Sequence, residues 1–86
     1  MLINFYGIEC PHCIRMHTLF ERLEKEEGIK TEKLEVWHDD ANMKKLETYD
    51  KNGECGGVPF TVNTETGKTL CGEVEYDELK KWVKGK

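Results

Sequence analysis

The chain has 86 residues and a net charge of -4, from 13 basic and 17 acidic side chains. This length predicts a single domain over residues 1–86 with one core. The acidic balance leaves no basic stripe for nucleic acid or for an anionic membrane surface, so we expect neither partner. No apolar run is long enough for a membrane-spanning helix, and the N-terminus carries no secretion signal, so we expect a monomeric cytoplasmic protein.

The first half of the chain alternates predicted strands and helices. Residues 2–6 are apolar apart from Asn4, a pattern typical of a central strand covered on both faces. Residues 11–27 repeat apolar side chains at helical spacing and precede a glycine, which predicts a helix. After a polar connection, residues 34–37 predict a second strand and residues 41–50 a second helix. The inner face of that second helix is predicted to hold Met43, Leu46 and Tyr49.

The second half predicts a β-hairpin followed by a helix. Residues 58–62 and 68–71 are the two strands, and the polar residues 63–67 form the turn between them. Residues 75–84 predict a final helix that buries Tyr76, Leu79 and Val83, with Trp82 alongside. The element order is therefore βαβ, a helix, then ββα, which indicates an α/β fold with a four-stranded mixed sheet and three helices.

The chemistry is expected at Cys10-Pro11-His12-Cys13, where the first strand turns into the first helix. Two intervening residues in a helical turn let the two sulfurs meet as a disulfide. The free N–H groups and dipole of the helix start favour a thiolate at Cys10. Pro11 suits the first helical position, because its missing N–H would have had no partner. The tetrapeptide alone is also compatible with half of a structural zinc site.

Three separated motifs make the chain resemble the thioredoxin superfamily, in its minimal thioredoxin- or glutaredoxin-like form. Asn4-Phe5-Tyr6 leads into the CPHC tetrapeptide, Gly57-Val58-Pro59-Phe60 precedes the hairpin, and Gly72 separates the last strand from the last helix. This resemblance implies a thioredoxin fold. It also implies a thiol–disulfide oxidoreductase that acts on protein substrates and receives electrons from an unidentified reductase.

The same resemblance assigns roles to particular residues. Cys10 is expected to be an exposed nucleophile, and Cys13 is expected to resolve the mixed disulfide. Pro59 is expected to be a cis-proline that presents the backbone of Val58 beside Cys10 for substrate binding, with Gly72 on the same rim. No cofactor or metal is expected beyond the Cys10–Cys13 redox couple itself.

His12 and Pro11 are expected to tune the acidity of Cys10. An imidazole at this position can donate a hydrogen bond or carry positive charge, either of which stabilises a thiolate and the reduced protein. The Pro-His dipeptide is similar to that of DsbA-type oxidants, so we expect a potential above the value of about -270 mV for thioredoxin. His17 and His38 are expected to be surface residues without a role.

Several residues depart from the family pattern. Asn4 stands six residues before Cys10, where thioredoxins carry a buried acid that accepts the proton of the resolving thiol. Glu9 replaces the usual tryptophan and places a negative charge next to the nucleophile. Neither Ile8-Glu9 nor residues 71–74 match the glutathione-binding positions of glutaredoxins, so the sequence does not support glutathione as a partner.

Cys55 and Cys71 are not explained by the redox motif. Each is compatible with a small, half-buried apolar residue. They are also compatible with a second disulfide, with auxiliary thiols, or with a zinc or iron–sulfur site completed by Cys10 and Cys13. The alternative function is therefore a metal-binding domain on the same fold that uses these cysteines.

Overall fold

The computed structural model describes residues 2–85, including every side chain in that range except that of Asn52. The elements in chain order are β1 (Leu2–Tyr6), α1 (Pro11–Glu27), β2 (Thr31–Glu35), α2 (Asp40–Tyr49), β3 (Phe60–Asn63), β4 (Thr69–Cys71) and α3 (Tyr76–Val83). A short 3-10 turn, Lys51–Gly53, follows α2. Within this part of the chain, no helix combines the length and apolar character needed to cross a membrane.

The strands form one mixed sheet in the order β2-β1-β3-β4. β1 pairs parallel with β2 and antiparallel with β3, and β3 pairs antiparallel with β4. The predicted α/β architecture of three helices and a four-stranded mixed sheet is confirmed, and β1 is the central strand that its apolar pattern indicated. The carboxyl end of β1 therefore leads directly into α1 from the middle of the sheet.

The predicted bounds of β2 and β3 are wrong, and β2 ends at Glu35 rather than at residue 37. β2 starts at Thr31, inside the stretch assigned to a polar connection, and pairs with β1 from Leu2↔Thr31 to Tyr6↔Glu35. As an edge strand it tolerates charged side chains, which hid it from an apolar-pattern search. β3 starts at Phe60 rather than at residue 58. Pro59 has no N–H to donate to the ladder, so regular pairing begins after it.

The sheet buries a different apolar cluster on each face, because neighbouring strand residues point to opposite sides. The cluster on the α2 side contains Ile3, Phe5, Val36, Leu46, Phe60 and Val62. The cluster on the side of α1 and α3 contains Met16, Phe20, Leu23, Tyr76 and Leu79. Both clusters anchor the elements whose ends carry the cysteines.

Candidate active site

Cys10 caps the start of α1. Its backbone is extended (φ -85, ψ 113), and its Sγ accepts the N–H of Cys13 at 3.4 Å. The Cys10 N–H donates to the carbonyl of Gly7 at 2.9 Å, which fixes the turn between β1 and the helix. Pro11 occupies the first turn of the helix as predicted, and Cys10 and Cys13 are both free thiols. A negative charge on the Cys10 sulfur is therefore stabilised by a helix N–H and by the helix dipole.

The expectation that Cys10 is an exposed nucleophile is wrong in its degree of exposure. Only 4% of Cys10 is exposed, and Cys13 is fully buried at 0%. The Cys10 sulfur lies against the carbonyl oxygen of Val58, 4.0 Å away, which covers part of it. Cys10 remains the more exposed of the two residues, which is compatible with the expected order of attack.

Cys13 is held as a thiol. Its burial, reinforced by hydrogen bonding to the Cys10 side chain, raises the pKa of Cys13 to about 12. Burial penalises the charged thiolate because the surroundings cannot solvate it. Near neutral pH Cys13 therefore keeps its proton.

Three predicted substrate-binding residues converge near Cys10. The Val58–Pro59 peptide bond is cis, as the family resemblance implied. The N–H of Val58 makes no hydrogen bond within residues 2–85, so it stays available to a bound segment. Gly72 donates its N–H to the carbonyl of Pro59 at 2.8 Å and has a φ of 85, a left-handed conformation that favours glycine. Val58, Pro59 and Gly72 thus form a continuous backbone rim beside Cys10.

His12 contacts charged side chains instead of the nucleophile. Its Nδ1 lies 2.8 Å from Glu73 Oε1 and 2.8 Å from Arg15 Nη2. A guanidinium only donates and a carboxylate only accepts, so one nitrogen cannot satisfy both contacts in a single protonation state. Nδ1 accepts from Arg15 when unprotonated and donates to Glu73 when protonated. Within residues 2–85 His12 makes no hydrogen bond to Cys10, so tuning by the charge of His12, and the oxidising potential, stay predictions.

Arg15 and Glu73 are site residues that the sequence analysis missed. Arg15 binds Glu73 through both ends of its fork, with Nε to Oε2 at 2.8 Å and Nη2 to Oε1 at 3.0 Å. These contacts with Arg15, followed by the contact with His12, lower the pKa of Glu73 to about 2. Glu73 is 58 residues from Arg15 in sequence, and no local pattern signals the pairing. The cluster joins the start of α1 to the connection between β4 and α3.

Glu9 is hydrogen-bonded to His38. His38 Nε2 lies 2.8 and 2.9 Å from the two carboxylate oxygens of Glu9. The hydrogen bond with Glu9 and its negative charge raise the pKa of His38. When His38 is protonated, this residue, to which we assigned no role, pairs with the negative charge that was expected to act on Cys10.

Glu35 ties together the two loops at this end of the sheet. Its carboxylate accepts the N–H groups of Ile8, Trp37 and His38 at 3.0, 3.1 and 2.7 Å. Burial raises the pKa of Glu35, but these backbone donors outweigh it and the net shift is downward. Within residues 2–85, the side chains placed to share a metal ion are Glu9, Glu35 and His38, whose ligand atoms lie within 4.8 Å of one another. This group contains no cysteine.

Asn4 is the buried polar residue of β1 that the sequence predicted. It is 0% exposed, and its Nδ2 donates to Thr61 Oγ1 at 3.1 Å. Its Oδ1 has no hydrogen-bond partner within residues 2–85. A carboxamide does not accept a proton near neutral pH, so Asn4 cannot act as the base that deprotonates Cys13.

Cys55 and Cys71 form a disulfide, with their Cα atoms 5.6 Å apart. Of the alternatives that the sequence left open, the second disulfide is the one found. The two cysteines are therefore not free thiolates, either as auxiliary nucleophiles or as ligands for zinc or an iron–sulfur cluster. The carboxylate of Asp50 also holds this segment, since it accepts the N–H groups of Cys55 and Gly56 at 2.9 and 3.0 Å.

No protein-family model matches the chain, and no curated protein matches its sequence. The functional conclusion therefore depends on the geometry of the site. That site consists of a buried pair of free thiols at a helix start and of the backbone rim formed by Val58, Pro59 and Gly72.

Proposed function

We propose that the protein is a thiol–disulfide oxidoreductase with a thioredoxin fold, which exchanges disulfides with protein substrates through Cys10 and Cys13. The observation that carries this proposal is the position of Cys10 Sγ, which accepts the Cys13 N–H at the start of α1 and lies 4.0 Å from the carbonyl of Val58. The strand order β2-β1-β3-β4 is consistent with the proposed fold. The monomeric state and the cytoplasmic location stay predictions of the sequence.

The exchange reaction has two steps. The Cys10 thiolate attacks one sulfur of a substrate disulfide, which forms a mixed disulfide and expels the second substrate sulfur as a thiolate. Cys13 then attacks Cys10 Sγ, forms the Cys10–Cys13 disulfide and releases the first substrate sulfur. Two electrons pass to the substrate, and its two sulfurs leave as thiols after taking up protons. Because Asn4 is not a base, the Cys13 proton passes to the leaving substrate sulfur or to water.

The surroundings of Cys10 suit a protein substrate. The exposed large hydrophobic residues of the described chain are Ile8 (59%), Ile14 (56%) and Trp37 (48%). Ile8 and Ile14 flank the CPHC tetrapeptide, and Trp37 is tied to the same loop through Glu35. These side chains give a protein substrate apolar surface to contact near the dithiol. The free N–H of Val58 gives an extended substrate segment a backbone group to pair with.

The metal-binding alternative is less favoured. Because Cys55 is bonded to Cys71, Cys10 and Cys13 are the free cysteines of the chain. A structural zinc site needs four ligands, and two thiols supply half of them. The redox function is therefore the one that we propose.

Insulin reduction in the presence of a dithiol tests the proposal. We expect the wild-type protein to catalyse it, Cys10→Ser to be inactive, and the paired Cys55→Ser/Cys71→Ser variant to stay active as the control for cysteine loss. Retained activity in Cys10→Ser, or an inactive wild-type protein purified with stoichiometric zinc, contradicts the proposal.

A further inference from the structure

A groove opens directly beside Val58. It has a volume of about 440 Å³ and is walled by Trp37, Met43, Leu46 and Val58, and we call it the Trp37 groove. Its size lies in the range of about 300–1,000 Å³ that ligand sites commonly have. Val58 belongs to both places, since its carbonyl also lies 4.0 Å from the Cys10 sulfur.

A second contact connects the groove to the active site. The Trp37 ring lies against Gly7 so closely that a Cβ atom at Gly7 would overlap it. Gly7 is also the residue whose carbonyl accepts the Cys10 N–H at 2.9 Å. Trp37 is therefore packed on the turn that positions Cys10.

The walls select for a particular side chain. Trp37, Met43, Leu46 and Val58 are apolar, whereas the charged residues lining the groove, Glu47 and Asp50, are acidic. Both carboxylate oxygens of Asp50 accept backbone N–H groups of the neighbouring loop. Glu47 is exposed, and no ion pair is formed to it within residues 2–85. The groove thus suits an apolar side chain next to a cation and disfavours an anionic ligand.

We propose that the Trp37 groove selects protein substrates that carry an apolar residue and an adjacent lysine or arginine within two positions of the reacting cysteine. This inference rests on the proposed exchange function. In an extended segment paired with the Val58 N–H, two residues span about 6.6 Å. Val58 itself lines the groove, so a side chain close to the paired residue lies next to it. The apolar residue packs between Trp37 and Met43, and the basic one lies near Glu47.

Four short peptides provide the test. Each carries one cysteine in a mixed disulfide with 2-nitro-5-thiobenzoate, and the two neighbouring residues are leucine or serine combined with lysine or glutamate. Reduced protein transfers two electrons from Cys10 and Cys13, which yields the free peptide thiol and the coloured thiobenzoate. In this single turnover we expect the second-order rate constant for leucine peptides to exceed that for serine peptides about tenfold, and lysine to be preferred over glutamate about threefold.

Two charge reversals serve as matched variants. Glu47→Lys should invert the preference between lysine and glutamate peptides. Glu78→Lys changes the net charge equally, but it lies on α3, outside the residues that line the groove, and should leave the preference intact. Both positions are exposed, so neither change is expected to unfold the protein. Glu78→Lys, which lies outside the groove, should reduce the uncharged 2-hydroxyethyl disulfide at the wild-type rate.

The outcomes distinguish failure of the groove proposal from failure of the proposed exchange function. If no peptide reacts with the wild-type protein, the exchange function itself is wrong. If all four peptides react at one rate, or if Glu47→Lys and Glu78→Lys behave alike, the exchange function stands and the groove proposal is overturned.

Discussion

The two cysteine pairs of this chain are built differently. Cys10 and Cys13 lie in one turn at the start of α1 and are free thiols, whereas Cys55 and Cys71 are bonded across a sequence separation of 16 residues. The start of α1 is held by backbone hydrogen bonds that do not involve the sulfurs, from the Cys10 N–H to Gly7 and from the Ile14 N–H to Cys10. Breaking the Cys55–Cys71 bond releases a crosslink between β4 and the segment that leads to Val58. Backbone context thus separates a pair of free thiols within one helical turn from a disulfide that crosslinks two distant segments.

The largest expected effect isolates the chemistry of the first pair. Cys13→Ser should stall the reaction after the first step, because no thiol remains to release the substrate from Cys10. A covalent complex with a disulfide substrate should accumulate and be visible by non-reducing electrophoresis and intact mass. It should be absent from Cys10→Ser and dissolve on addition of dithiol. A Cys13→Ser variant that turns over at the wild-type rate would break the assignment of roles within the pair.

An intermediate effect sharpens the role of the second pair. Cys55→Ser/Cys71→Ser should lower the free energy of unfolding by about 3 kcal/mol, because closing a loop of this length restricts the unfolded chain. Unfolding in guanidinium chloride without reductant measures the change. Insulin reduction should persist, since Cys10 and Cys13 are untouched. If this variant instead loses exchange activity and keeps its stability, the Cys55–Cys71 pair takes part in the chemistry. The contrast between the two pairs then does not hold.

The apolar patterns predicted most of the framework that carries the first pair. β1 and α1 were predicted at their observed bounds, since their patterns and the glycine after the helix are local signals. The predicted second strand lies too far along the chain because β2 begins with the polar residues Thr31, Glu32 and Lys33. These residues form an edge strand through their pairing with β1. The β-propensity of its residues does not reveal such a strand, because pairing with the neighbouring strand is what makes the segment extended.

The site was predictable where chemistry depends on spacing, and unpredictable where it depends on contacts across the chain. The spacing of Cys10 and Cys13 is a local signal, although the redox interpretation also needed Pro59 and the order of the elements, because the tetrapeptide alone is compatible with half of a zinc site. The pairing of His12 with Glu73 joins residues 61 apart, and the partner of Cys55 was one of several alternatives. The burial of Cys10 was also missed, because it follows from the approach of Val58 from a distant segment.

The smallest expected effect is a pH dependence that differs between the surroundings of the two cysteine pairs. His17 and His38 belong to α1 and to the loop beside Glu9, whereas no histidine is among the described residues that line the cleft at Cys55 and Cys71. Burial, then the charge of Lys33, lowers the pKa of His17. Hydrogen bonding to Glu9 raises that of His38.

The two histidines should therefore affect stability in opposite pH ranges. The depressed pKa of His17 destabilises the fold as pH falls below about 6.5, because the unfolded chain takes up the proton first. The raised pKa of His38 contributes stability that is complete below about 6.5 and is lost as pH rises through its folded value. Imidazole NMR titration should show the two midpoints on opposite sides of about 6.5.

The control for this titration is Glu9→Gln, which should return the His38 midpoint towards about 6.5 and leave His17 unchanged. Between about pH 5 and 8, the range in which histidines titrate, amide shifts near Cys10 should move while those near Cys55 and Cys71 stay fixed. Equal movement at both pairs would show that protonation beside the dithiol is transmitted through Val58 to the disulfide. The Cys55–Cys71 disulfide would then be part of the site around Cys10, because the segment it holds supplies the carbonyl against which the Cys10 sulfur lies.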